Sequence, residues 1–200
     1  LTGVISSDNG TIKLHGEEIK FRSPDDARKN GVAPVFQDPA LIPDISIQRN
    51  LILTGTNQTR FVSELSAMGI SVNLNEIAAN IELPILRMID LARALTHDPE
   101  LLILDEITAA LPVDLAEKVI AIMNAQKAKG KSVIFISHRL AEIEEICDTA
   151  TVLRDGIDVD TFPASKGSEE RIVAAMLGEK NKVASRSEEH TSELQSRIRI

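Results

Sequence analysis

The sequence has no tryptophan, no tyrosine and a single cysteine in its 200 residues. Without Trp or Tyr, it offers neither ring for stacking on bases or sugars. One cysteine, Cys147, excludes an internal disulfide and suits a reducing compartment. In EEICDTA that residue falls at an apolar helical position, where a buried structural thiol is expected. Positive charge is also scarce. With 22 Lys and Arg against 30 Asp and Glu the formal charge is −8, which argues against nucleic acid or an anionic membrane surface as the main partner. No apolar run approaches the length of a membrane span, and no signal peptide opens the chain. The zincin, paired-cysteine and Ser-His-Asp patterns are missing, and so is the phosphate-cradling GxxxxGKS/T loop.

What is present is a normal globular composition, 43% hydrophobic, which over this length is sufficient for one domain with a sizeable core. The chain begins LTGVISSDNG, without a start methionine and in mid-element, and closes with the polar RSEEHTSELQSRIRI. Arg186 to Ser196 resembles the in-frame translation of a sequencing-library adapter, and a natural disordered tail has the same composition. The expectation is a folded part over 1–179 and a non-native or disordered tail over 180–200.

Between these ends the pattern is regular. GTIKLHGEEIKF reads as two short strands about a turn at His15-Gly16. SPDDARKNG reads as a short helix capped by Ser23, opened by Pro24 and stopped by Gly31. VAPVFQ is a short apolar strand, and 45–81 is mixed and mostly helical, with Ile47, Leu51, Phe61, Leu65 and Met68 spaced by turns. RMIDLARALTHDPE is an amphipathic helix that stops before Pro99. LLIL and SVIFIS read as buried strands, and VDLAEKVIAIMNAQKAKG as the helix between them. Asp114 and Glu117 fit a capping box at the start of that helix, and Gly130 fits its stop. RLAEIEEIC is a helix, TATVLRD a third strand, GIDVDTF its hairpin partner, and SEERIVAAMLG a closing helix. Alternating strands and helices with continuous apolar strands predict a parallel sheet sandwiched by helices. Ligands of such sheets sit beyond the carboxyl ends of the strands.

The residues at those ends carry the chemistry. LLIL runs into Asp105 and Glu106. Alternation along a strand points neighbouring carboxylates in different directions, so one can face a Mg²⁺ shell while the other reaches a water. Mg²⁺ asks for few protein oxygens and several waters. His138, after SVIFIS and at the start of a helix, can donate to a phosphate oxygen from the positive end of the helix dipole. Gln37, after VAPVF, can bridge a metal-bound water and an outer phosphate oxygen without adding charge, whereas Asp38 reads as a turn former before Pro39. His15 and His97 read as solvated, and His190 lies in the tail. A strand-end aspartate also suits an aspartyl-phosphate enzyme, but that pattern wants a second aspartate where this chain has Ile107.

Four stretches, SPDDARKNGVAPVFQDPALIPDISIQRNL, IDLARALTHDPELLILDEITAAL, VIFISHRLAEIEEICDTATVLRDG and SEERIVAAMLG, resemble ABC transporter ATP-binding subunits. More narrowly, they are similar to those of bacterial simple-sugar importers of the ribose, xylose and galactose type. The resemblance implies a P-loop NTPase-type α/β fold, with a parallel sheet flanked by helices, a small antiparallel β part and a helical subdomain. By it, Gln37 matches the Q-loop glutamine that senses metal and γ-phosphate. Asp105 matches the Walker B aspartate that holds Mg²⁺, Glu106 the carboxylate that polarises the attacking water, and His138 the switch histidine. ATP and Mg²⁺ are the implied cofactors. A second ATP-binding domain, facing head to tail, and transmembrane permease subunits are the implied partners. Neither nucleic acid nor direct sugar binding is implied, and the implied location is the cytoplasmic face of the cell membrane.

The chain departs from the family at several points. It starts at LTG, where the family's phosphate-loop helix ends, so the first strand and the loop are expected to be missing from this chain. An LSGGQ-like signature is expected between ELPI and DLARAL, where only LRM stands, as though residues were missing around Leu86-Arg87. EIT replaces the usual EPT, and Pro112 stands where an aspartate is frequent. The leading expectation is therefore a partial motor subunit, inactive as given. A degenerate non-hydrolytic partner domain and a non-transport ABC ATPase are the alternatives.

Overall fold

Ser23 begins the first clear element by accepting the Asp26 amide on its hydroxyl (3.2 Å), which satisfies one of the four orphan N–H groups of a helix start. In the computed structural model, which describes residues 1–14 and 16–178, that helix is α1 (Pro24–Lys29). The turn at His15, residue Glu179 and the stretch 180–200, with His190, lie outside the described residues. Before α1, β1 (Ile12–Leu14) and β2 (Glu17–Ile19) pair antiparallel. After it, Gly31 turns at φ +81°, and its carbonyl accepts the amides of both Glu100 (2.8 Å) and Leu101 (3.0 Å). A Cβ at Gly31 would press within 3.3 Å of the Glu100 side chain, so this position needs glycine for both its conformation and its space.

That turn launches β3 (Val32–Val35), which lies parallel to β4 (Leu101–Asp105); β4 in turn lies parallel to β5 (Ser132–Ile136). The order is β3-β4-β5. Pro34 has no amide to donate, so β3 suits an edge, and the apolar β4 fills the centre with Leu102 and Leu104 buried. Helices α2 (Ile47–Leu53), α3 (Gln58–Ala67) and α4 (Leu83–Leu95) bring in Ile47, Leu51, Phe61, Leu65, Met88, Ile89 and Leu91, all buried. Each such side chain contributes ~1.5–3 kcal/mol relative to exposure. Helix α4 runs unbroken through Leu86 and Arg87, with the Leu86 amide bonded to the Glu82 carbonyl (3.0 Å). No residue is lacking there for the helix itself. Helix α5 (Val113–Ala128) packs on β5.

The chain divides into two compact units, the first ending at His138 and the second starting at Arg139. In the second, α6 (Leu140–Ile146) precedes a hairpin of β6 (Thr149–Arg154) and β7 (Ile157–Pro163), and α7 (Ser168–Leu177) follows it. Asp155 and Gly156 both have positive φ, 53° and 77°, as a two-residue type I′ turn requires. Ala150, Val152, Phe162 and Ile172 form its core. Arg171 lies 4.1 Å over the Phe162 ring and grips Asp160 with two N–H groups. Gly167 caps α7 without a side chain, and Glu144 accepts the Glu169 amide in its place (2.6 Å).

Four local expectations are corrected. TATVLRD, expected as a third strand of the parallel set, pairs antiparallel with β7 alone among the described strands. SVIFIS is a half-exposed edge, with Ile134 and Ile136 open, because β5 pairs with β4 alone among the described strands. The N-cap of α5 is Pro112, with no side-chain cap, so Asp114 sits inside the first turn, where it favours the helix dipole instead of closing a capping box. Cys147 ends α6 in an extended conformation and is half-buried. Among the described residues, no helix is long and apolar enough to cross a membrane.

Phe61→Ala is expected to lower unfolding free energy by ~3–5 kcal/mol. Ile52→Ala, on the exposed side of α2, should stay within about 0.5 kcal/mol. Urea titrations of the two variants check the position of the core.

Candidate functional site

The three parallel strands end in step. Val35 pairs with Leu104, and Leu104 with Phe135. Residues that follow these positions therefore emerge together beyond one end of the sheet. Gln37 leaves β3 there, Asp105 and Glu106 leave β4, and Ser137-His138 leave β5. Three stretches far apart in sequence thus deliver their polar side chains to one place, because parallel strands share a direction and their register is locked by ladder hydrogen bonds.

Asp105 is the last residue of β4 and pairs with Ile136. Glu106 follows with φ +49°, and its amide still donates to the Ile136 carbonyl (2.9 Å). The strand ends at Asp105, so strand alternation does not set the direction of the Glu106 side chain; the left-handed turn does. A non-glycine residue in that region costs about 1–2 kcal/mol and persists where its surroundings hold it. Here the holding groups are Ile107 and Thr108, both fully buried just after the turn.

His138 faces Glu106, with Nδ1 3.3 Å from Oε1. The ring is largely exposed and the carboxylate one-third exposed, so the contact is a weak tether between the ends of β4 and β5. His138 stands before Arg139, the N-cap of α6, and so lies outside that helix's first turn. Its partner among the described residues is the Glu106 carboxylate. Gln37 is exposed. Its backbone carbonyl accepts Nε–H of Arg87 (3.1 Å), and its side chain is left to solvent.

The donors at this sheet end are hard oxygens, the carboxylates of Asp105 and Glu106 with the amide of Gln37. That set fits Mg²⁺, which keeps most of its water and asks for one or two carboxylates. No group of three His, Cys, Asp or Glu side chains converges among the described residues, and a one-carboxylate site has no such signature.

Sequence reasoning missed the groups behind Gln37. Arg87, Asp90 and Asn50 are all buried polar side chains, and each bonds the loop that follows β3. The signal was available. Arg87 and Asp90 are charged residues within a largely apolar run from Leu83 to Leu95, and both are buried with it; charged residues in such a setting are informative. His97, expected to be solvated, is half-buried, with Nε2 enclosed and without a partner among the described residues, because it follows closely on the buried end of α4. Desolvation, reinforced by Arg28, Arg93 and Arg60, holds its pKa below the usual 6.5.

The comparisons with known proteins give the family and the fold. A family model described as ABC transporter matches residues 1–109. The chain is 34% identical over 190 residues to the ribose import ATP-binding protein RbsA 1 of Rhizobium johnstonii, covering 89% of this chain and 37% of that protein. It is 33% identical to the ribose import ATP-binding protein RbsA of Bacillus subtilis, covering 89% and 38%. The chain thus spans well under half the length of these curated relatives. Among solved structures, it is similar to a nucleotide-free ATP-binding cassette from an ABC transporter, with TM-score 0.74, 19% identity, and coverage of 89% of this chain and 81% of that one. An ATP-binding cassette in its ADP conformation gives TM-score 0.71 at 20% identity, with coverage of 89% and 80%. These likenesses establish the fold.

Two outcomes follow for this part of the molecule. Glu106→Gly should be more stable than Glu106→Ala by about 1 kcal/mol, since both lose the carboxylate but only glycine relieves the left-handed φ; denaturant midpoints of the pair decide it. For His97, the unfolded chain takes up the proton at higher pH than the folded one. Stability therefore rises with pH through this window and is lost as pH falls below about 6.5. His97→Gln should flatten that acid-side loss in urea midpoints taken between about pH 7.5 and 5.

Proposed function

The chain belongs to the ABC transporter family, and on that premise we propose that it is part of the ATP-binding motor subunit of a simple-sugar importer. Residues 1–179 are, in this reading, part of one ATP-binding domain. The free edge of β5, with Ile134 and Ile136 exposed, supports a parallel sheet that continues in the complete protein. The similarity to ribose import ATP-binding proteins supports a pentose or related sugar as the cargo, which the motor itself does not touch.

The observation that carries the reading is the shared end of β3, β4 and β5, with Glu106 and His138 within 3.3 Å. Asp105 and Gln37 are the residues that would hold Mg²⁺. The ion, when bound, offsets charge on the triphosphate. Glu106 orients and polarises the attacking water, and its left-handed turn keeps its carboxylate apart from Asp105. His138 donates to the γ-phosphate and tethers Glu106 between turnovers. Gln37 reads whether the outer phosphate is in place. A second ATP-binding domain, head to tail, completes each site, and permease subunits hold the pair at the inner membrane face. The 200-residue chain has no GxxxxGKS/T stretch, the motif whose backbone and lysine cradle phosphates, so this reading assigns hydrolysis to the complete protein.

The test is ATP hydrolysis by the complete gene product with its membrane partners. Glu106→Gln should lower kcat by ~10²–10⁴ with nucleotide binding retained, the usual contribution of a positioned base. Turnover at the unmodified rate would remove Glu106 from its role. A complete protein that binds permeases yet never hydrolyses ATP would make this a non-hydrolytic partner domain.

A further inference from the structure

The loop that follows β3 is gripped from two sides by buried polar groups. Arg87, 5% exposed, donates Nε–H to the Gln37 carbonyl (3.1 Å). Three residues later on α4, Asp90 is 1% exposed and accepts the Ala40 amide on Oδ2 (3.1 Å), while its Oδ1 takes Nε–H of Arg93 (2.9 Å). On α2, the Asn50 side chain closes a ring of two bonds with Ile42, accepting its amide (2.7 Å) and donating to its carbonyl (3.0 Å). Gln37 itself is exposed, so its side chain is aimed only by how this backbone is held.

The Arg87 contact is an expensive way to hold a loop. Its Nη1 is enclosed, with no partner among the described residues, and no described ion pair gives it a carboxylate. A buried cation in that state destabilises the fold, and an apolar side chain of similar volume is expected to be neutral or stabilising in its place. Global stability therefore does not explain the residue. What the charge does supply is a strong, charge-assisted grip on one particular carbonyl, that of Gln37.

We propose that Arg87 and Asp90 are positioning residues that set the Gln37 loop against α4. The importance of that loop rests on the function proposed above. Because both partners of Asp90 are donors, an amide there cannot serve both. Asp90→Asn turns an NH₂ group toward either Ala40 N–H or Arg93, and one of them is released.

The experiment is hydrogen exchange on the purified 200-residue chain without nucleotide, comparing the peptide 36–42 with β4. Arg87→Met should speed exchange in 36–42 by about tenfold, the scale of one lost charge-assisted hydrogen bond, with β4 unchanged and the urea midpoint not lowered. Arg87→Lys, which keeps one donor, should restore part of the protection, and Asp90→Asn should release either the Ala40 amide, read as faster exchange in 36–42, or Arg93, read as faster exchange at the end of α4. For Arg87→Met, unchanged exchange in 36–42, or a rise shared by β4 with a fall in midpoint, would overturn the assignment. Since no nucleotide is present, the outcome holds even if Gln37 never meets a phosphate.

Discussion

Everything at this site depends on the register of three parallel strands. Val35, Leu104 and Phe135 lie side by side, and that alignment lets Gln37, Glu106 and His138 share a sheet end. A slip of one residue would send Asp105 to the opposite face and shift Glu106 against Ile136. Because β4 is apolar on both faces, with Ile103 buried as well as Leu102 and Leu104, it is the ladder hydrogen bonds that hold the site in register. The same apolar run that reads as core in the sequence ends in the two carboxylates.

Around that frame, the polar groups are held by unequal means. Glu106 is fixed by its neighbours, since Ile107 and Thr108 are buried and the turn must be sharp enough to bury them. Among the described residues, His138 is tethered to Glu106. The Gln37 loop is fastened by three buried side chains, two on α4 and one on α2. Helix α4 therefore has two tasks. Its apolar positions fill the core beneath the sheet, and Arg87 and Asp90 reach out of that core to the loop. This arrangement explains why a helix with so few exposed positions carries charges on its inner side.

Membership in the ABC transporter family gives these placements a common reading, while the short span of the chain against its relatives leaves the complete site to the complete protein. On β5, which pairs with β4 alone among the described strands, Ile134 and Ile136 are exposed. An apolar strand with Ile134 and Ile136 exposed is a liability on its own, and it becomes ordinary once a further strand or layer covers it.

Periodicity and turn chemistry were enough to identify most elements. Ser23-Pro24 start a helix because a hydroxyl and a fixed φ suit that position, and Asp155-Gly156 close a hairpin because both residues tolerate positive φ. The strand-end placement of Gln37, Asp105, Glu106 and His138 was legible for the same local reasons. Their roles came from family resemblance. Other features needed the tertiary structure. Whether β5 is buried depends on which strands flank it, and β-propensity carries no such information. The cap of α5 depends on how the chain leaves the Glu106 turn, so Pro112 took the place predicted for Asp114. The clamp of Arg87 and Asp90 on the Gln37 loop joins residues about fifty positions apart, and only packing α4 beside that loop could bring them together.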